Sequence, residues 1–477
     1  IGFRSSMVVA YAKSNKDQNI INIFRYFVIV LVLVSQMSYA GVYYVSTDGD
    51  ATWGNSVSIS APCSPSTALT NAVAGDTVYF LSGTYNISDI ETLNTPSWNP
   101  TNSGTIGNPI TFKSYSHLGA ILRGIGSAAD SIFTNMIGAY QKNYIIWDGF
   151  DLVAVNSTEA SGIYPSVIFY ESNNCTIQNS RLTGVEYDSG GSSPNSQAVY
   201  FHSSSYITIY NNEITGYLET NNNENNGGTS GYSSSYITVK NNYIHNNTNG
   251  IRFKDNIDNS TIENNYIEDN HVGIYLSSFS AISTNNVVKN NIINIANTIG
   301  IRVWMSSGYS HDDLLIYNNT FYALVSGVYV SGVTAGNGPK IYNNIIDASN
   351  YTIVAQTAVN LLAEEDHNQF TSAFKVTTHL YDATEVSYTN ISTWQASGEL
   401  YGGGNPGVGS LASDPQFITA TGARDTIAEF ALAVGSPCIG AGRSGVDMGA
   451  DVSLVGVQTQ TQHSRSTGGR MSGGVMR

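Results

Sequence analysis

An all-β solenoid of stacked parallel strands is the fold class this sequence predicts, and three observations predict it. A phrase built on paired asparagines returns through the middle of the chain. Inside each copy, apolar and polar residues alternate with a period of two. A second phrase, headed by glycine, follows most of the asparagine pairs.

The copies of the first phrase are TIQNSRL from Thr176, TIYNNEI from Thr208, TVKNNYI from Thr238, TIENNYI from Thr261, VVKNNII from Val287, LIYNNTF from Leu315 and KIYNNII from Lys340. Their first asparagines, Asn179, Asn211, Asn241, Asn264, Asn290, Asn318 and Asn343, are separated by 32, 30, 23, 26, 28 and 25 residues. That period belongs to solenoids, in which each repeat buries its apolar face against the next. Ile237 and Val239 alternate with Thr238 and Lys240, and Ile244 sits between Tyr243 and His245, so the units are strands. At such spacing a strand pairs with its equivalent one coil on, which is parallel. Asparagine suits the corner, because it tolerates the left-handed conformation and its stacked amides can bond to one another. The Gly-led phrase, GIRFK at Gly250, GIYLS at Gly273, GIRVW at Gly300 and GVYVS at Gly327, gives each coil a third short strand.

The composition agrees. The chain has 477 residues, only 12% of them charged and 41% apolar, enough for a core. Its 35 acidic and 20 basic residues give a formal charge of −15, which argues against nucleic acid as a partner. Cys63, Cys175 and Cys438 match no zinc or CxxC spacing and are expected as small packing residues. Near the start, Arg25 precedes an apolar run from Tyr26 to Val34, and Ser38-Tyr39-Ala40 has the small residues of a signal-peptidase site. Residues 1–40 are therefore expected to be a leader removed after Ala40, with no membrane span left in a secreted or surface-bound protein. The cut removes four basic residues and one acidic residue and takes the charge to −18. Residues 458–477 have no apolar period and are expected to be a flexible tail.

With these residues in view, the chain resembles the right-handed parallel β-helix proteins of the pectate-lyase-like superfamily. The likeness rests on the asparagine phrases, on Asn71–Tyr85 (NAVAGDTVYFLSGTY), and on DHNQF from Asp366, SDPQF from Ser413 and GSPCIGAG leading to DMGAD near the C-terminus. It implies a β-helix of about ten coils over residues 41–350, an N-terminal capping helix followed by the first strand within Asn71–Tyr85, and an irregular closing region over 351–457. It also implies that the Gly-led strand lines the groove for a polysaccharide substrate, in a protein expected to be a monomer.

In GIRFK, Ile251 and Phe253 point inward, which places Arg252 and Lys254 outward. Aligning the coils gives one outward column of Ile168, Tyr200, Ser230, Arg252, Tyr275, Arg302 and Tyr329. The other column is Tyr170, His202, Tyr232, Lys254, Ser277, Trp304 and Ser331. Tyr200, Tyr232, Tyr275, Trp304 and Tyr329 are candidate sugar-stacking residues, and the three basic side chains suit an anionic chain. The chemistry this points to is β-elimination from a uronic-acid polysaccharide. Lys254 is the candidate base, with the Arg252 charge favouring its neutral form; Arg302 holds the carboxylate, and Tyr275 or His202 serves the leaving oxygen. Calcium would join through Asp255 and Asp258. Arg252-Phe253-Lys254 is also similar to the Arg-Ile-Lys motif of polygalacturonases, but the Asn-Thr-Asp, paired-Asp and Gly-His-Gly motifs that precede it there are missing, so a hydrolase of that kind is not expected. A non-catalytic carbohydrate-binding or adhesive solenoid, and a structural envelope protein, are the other classes the same sequence fits.

Overall fold

The computed structural model describes residues 40–88, 94–125, 135–154, 163–184, 195–218, 227–294, 298–332, 338–356, 362–371, 374–378, 385–400, 404–419 and 424–457. The expected leader, apart from Ala40, and the expected tail lie outside them. The chain forms a right-handed parallel β-helix. One sheet stacks 12 parallel strands, from Val42–Val45 through Thr176–Gln178, Thr208–Tyr210 and Thr238–Lys240 to Glu364–Asp366. Equivalent residues of the repeat sit opposite one another, Thr176 against Thr208, Thr208 against Thr238, and Thr238 against Thr261. A larger sheet carries the strand after each asparagine pair, such as Tyr243–His245, and the Gly-led strand, such as Asn249–Lys254. Some coils add a two-residue strand, as at Ile257–Asp258, beyond the three read from the sequence.

The two asparagines of each pair do different work. The first, from Asn179 to Asn343, holds φ between 52° and 58°, the left-handed conformation that lets the chain turn within one residue. The second points inward. Asn212, Asn242, Asn265, Asn291, Asn319, Asn344 and Asn368 are wholly buried, and each Nδ2 donates to the Oδ1 of the next at 3.0–3.1 Å. That same Oδ1 also accepts the backbone N–H of the preceding asparagine, so each amide is satisfied from two coils. The ladder ends on Glu365, a buried carboxylate that accepts from Asn368, Trp394 and Ser410 and whose pKa burial pushes up. A shorter ladder of the same design joins Asn247 to Asn270 at the next corner.

The helix Pro65–Asn71 packs at the N-terminal end, capped by the Ser64 side chain with Pro65 in its first turn. It lies just before the stretch expected to hold it, and strand Val42–Val45 precedes it, so the Asn71–Tyr85 stretch contributes strands. At the other end the segment from Arg443 to Gly456 walks back across five coils. It bonds in turn to Asn343, Asn318, Asn290, Asn264 and Asn241. Phe417, Phe430, Cys438, Met448 and Val455 cover Tyr266, Ile292 and Ile345 beneath it. Cys63, Cys175 and Cys438 are free and buried. On the outer face Glu263 bridges Lys240 at 2.9 Å and Lys289 at 3.2 Å, the charge ladder expected from their shared position.

Two outcomes follow. Asn265→Ala strips the acceptor from the Asn242 backbone N–H and leaves that donor buried, while the Asn242 Nδ2 keeps the Ile209 and Lys240 carbonyls, so it is expected to lower stability by about 1–3 kcal/mol in thermal or chemical unfolding. Asn264→Gly, at the left-handed position, is expected to cost less than about 1 kcal/mol. The second outcome concerns His311, which is buried and has its pKa lowered to about 4 by burial, against the opposing charge of Asp255. The unfolded chain, with an ordinary histidine near 6.5, takes up the proton first. The contribution of His311 is therefore complete above about pH 6.5 and is lost as pH falls towards about 4. Over that window the wild type is expected to lose more unfolding midpoint than His311→Leu.

Candidate polysaccharide-binding face

The Gly-led strands reach the outer surface through a tight inner corner. A Cβ on Gly250 would lie 2.5 Å from the carbonyl oxygen of Gly273 on the next coil, so glycine is the residue that lets the strands close up. From there the side chains alternate, and both predicted columns have the expected register. Tyr200 lies opposite Ile168 and Ser230, Ser230 opposite Arg252, Arg252 opposite Tyr275, Tyr275 opposite Arg302, and Arg302 opposite Tyr329. In the second column His202 lies opposite Tyr170 and Tyr232, Lys254 opposite Ser277, Ser277 opposite Trp304, and Trp304 opposite Ser331.

The columns differ in exposure, which the alternation alone does not reveal. Arg252, expected on the solvent side, is 4% exposed, and Tyr275 is 1% exposed. The reason is stacking along the helix axis. At a coil spacing of about 4.8 Å, long planar side chains pack on one another; the Tyr275 ring lies between the guanidinium carbons of Arg252 at 5.2 Å and Arg302 at 5.0 Å. Arg302 also faces the Trp304 ring at 5.0 Å. In the second column Tyr170, His202, Tyr232, Lys254 and Trp304 are half-buried and open, while Ser277 and Ser331 are buried. The Lys254 ammonium lies 4.8 Å from the Tyr232 ring centre and 5.3 Å from that of Phe279. His202 stacks on Tyr170 at 4.9 Å, and its Nδ1 is 3.0 Å from the Ser203 hydroxyl. Burial lowers the His202 pKa, against the smaller opposing effect of Glu171, and burial raises that of the Tyr200 phenol.

Phe279 is the site residue that the sequence pattern misses. It follows the Gly-led strand Val272–Ser278, outside the columns, and reaches Lys254 because of Asp255. The Asp255 Oδ1 accepts from the backbone N–H groups of Phe279 at 2.5 Å and Ser280 at 2.9 Å. Asp258 does the same one corner on, accepting from the N–H and hydroxyl of Thr284 at 2.7 and 2.9 Å. These two carboxylates therefore hold backbone. Calcium takes six to eight oxygens, and among the described residues no three His, Cys, Asp or Glu side chains come together as a cation site. Asp255 and Asp258 are engaged by the N–H groups of Phe279, Ser280 and Thr284.

Comparison with known proteins accords with this architecture. A family model for the right-handed β-helix region matches residues 161–308. The crystal structure of pectate lyase Pel9A overlays with a TM-score of 0.55 at 16% identity, covering 87% of this chain and 97% of that one. The PL6 family polysaccharide lyase Pedsa3628 from Pseudopedobacter saltans gives 0.43 at 15% identity, covering 83% and 98%. No curated protein matches the sequence. At these identities the likeness is one of fold.

Asp255→Ala is expected to speed hydrogen exchange at the Phe279 and Ser280 amides by about tenfold or more. Asp255→Asn, which keeps the acceptor oxygen, should change it less.

Proposed function

We propose that the protein is an exported β-helix that binds an acidic polysaccharide along the Gly-led strand face and cleaves it by β-elimination. One observation carries the reading. On a chain of charge −15, Arg252, Lys254 and Arg302 gather on a single face, each against aromatic rings. An anionic ligand is repelled by most of this protein, so a local cationic strip decides where it lands. From Tyr170 to Trp304 the open column spans five coil spacings, about 24 Å, long enough for an extended sugar chain.

The open residues Arg302, Lys254, His202, Tyr232 and Trp304 contact the substrate in this reading. Arg252 lies beneath them, packed on the Tyr275 ring, and adds its charge to the positive field. Arg302 takes the uronate carboxylate, whose charge builds as C5 loses its proton. Lys254, as the free amine, removes that proton; the C5–H electrons form the C4–C5 double bond, and the C4–oxygen bond breaks. His202, kept neutral by burial, still carries one N–H for the leaving oxygen. Aromatic faces of Tyr232 and Trp304 hold the apolar faces of neighbouring sugars.

Binding without cleavage is the second reading, and one contact favours it. The Lys254 ammonium over the Tyr232 and Phe279 faces is an arrangement that keeps a cation ready for a carboxylate.

Absorbance near the ultraviolet edge, which reports the unsaturated product, tests the proposal on alginate, pectate, chondroitin and glucuronan, with and without calcium. The expected result is a rise on at least one glycan that is abolished in Lys254→Ala. Arg302→Ala is expected to lower kcat/KM by about 10²–10³-fold. A rise that persists in Lys254→Ala would remove the lysine from the base role. Retained binding with no rise would select the second reading, and neither binding nor a rise would overturn both.

A further inference from the structure

The corner that leads into the 12-stranded sheet recurs along the helix, and through the middle coils its first residue adopts the left-handed conformation. Seven successive coils place Tyr144, Asn174, Tyr206, Tyr236, Asn259, Asn285 and Asp313 there, with φ between 51° and 58°. Backbone bonds fix the alignment, the N–H of each from Tyr144 to Asn285 donating to the carbonyl of the residue before its counterpart on the next coil; Tyr206 donates to Ser235 and Tyr236 to Asp258. Four of the seven are Asn or Asp, the side chains that reach this conformation most readily. Tyrosine gains no such local hydrogen bond and strains the backbone.

Nor does burial account for the tyrosines. Tyr206 and Tyr236 are 52% and 45% exposed. Their rings stack face to face, 4.6 Å apart and 3° from parallel. Another tyrosine stack of this helix, Tyr317 on Tyr342, has its outer face closed by the Arg443 guanidinium at 4.2 Å. Along the axis the Tyr206–Tyr236 stack is flanked at the same corner by the shorter side chains of Asn174 and Asn259. Two coils from Tyr206, about 9.6 Å along the axis, Tyr144 occupies the same corner. Beside the stack the hydroxyls of Ser205 and Ser235 lie 3.0 Å apart.

We propose that Tyr206 and Tyr236 form a second carbohydrate site, which takes the apolar face of a pyranose ring on the stacked tyrosines with sugar hydroxyls toward Ser205 and Ser235. It lies round the coil from the cationic strip, on the far side of the short strand Ser234–Ser235 from Tyr232. It has no basic residue in the stack, so it selects ring shape and hydroxyls over charge. Its polysaccharide ligand rests on the function proposed above, while its position does not.

The experiment replaces both tyrosines by the residue the other corners use. Tyr206→Asn/Tyr236→Asn is expected to fold with an unchanged or higher Tm, because asparagine relieves the strain. Affinity electrophoresis in gels containing polygalacturonate, alginate or hydroxyethylcellulose then compares it with wild type and with Lys254→Ala/Arg302→Ala. The expected result is a loss of retardation of about five- to tenfold in Kd in the tyrosine variant on at least one glycan. On hydroxyethylcellulose, the cationic-strip variant should be retarded like wild type. Retardation of the folded tyrosine variant equal to wild type on every glycan would overturn the site, as would no retardation of wild type at all. Loss in the strip variant alone would support the strip and reject the corner. A fall in Tm in the tyrosine variant would assign the stack to structure and also reject the proposal.

Discussion

Everything on the surface of this helix depends on the buried row of asparagine amides inside it. A lone amide in an apolar core is costly, and a half-satisfied row would be worse. Here each Oδ1 from Asn242 to Asn368 accepts twice, and each Nδ2 from Asn212 to Asn344 donates to its neighbour. Because each amide bonds at once to its counterpart and to backbone carbonyls of its own and the neighbouring coil, the row admits one register between coils. A slip by one residue would turn every outward side chain inward. The same lock that keeps Thr238 opposite Thr261 also keeps Arg252 opposite Tyr275.

That register makes stacking on the outer faces a matter of coil spacing. Rings and guanidiniums that share a column stack on one another, so alternating Arg252, Tyr275 and Arg302, 5.2 and 5.0 Å from guanidinium carbon to ring centre, become one packed unit. Cations held against ring faces lose hydration without losing partners. The result is a fixed positive strip on an acidic molecule, with Lys254 and Arg302 at its open edge. Pre-set charge of this sort does not have to be ordered when a ligand arrives.

Much of this was legible in the sequence, because the asparagine pairs mark the corners. Counting from Gly250 with a period of two predicts both outward columns, and their registers are as counted. The division of labour within a pair was not legible, since Asn264 and Asn265 look alike until one is inside. Nor was the burial of Arg252, which depends on what its neighbours do sideways and not on which face it leaves. Phe279 lies beyond the strand, and only the backbone grip of Asp255 brings it to Lys254. The closing segment bonds through its main chain to the first asparagines, so its own side chains carry little trace of the contact. Tyr206 and Tyr236 were visible as letters, but their oddity appears only when φ shows them doing an asparagine's job. Places where a local rule is broken without a packing reason are where function is to be sought.

The central claim is that the Gly-led strand face is where this protein meets an acidic glycan. The most direct measurement is a crystal structure of Lys254→Ala, which keeps the rest of the strip, with an acidic tetrasaccharide that the protein binds in solution. The account predicts sugar density along the column from His202 to Trp304, with a carboxylate within hydrogen-bonding distance of Arg302. Density confined to another face, with this column bare at saturating ligand, would contradict it.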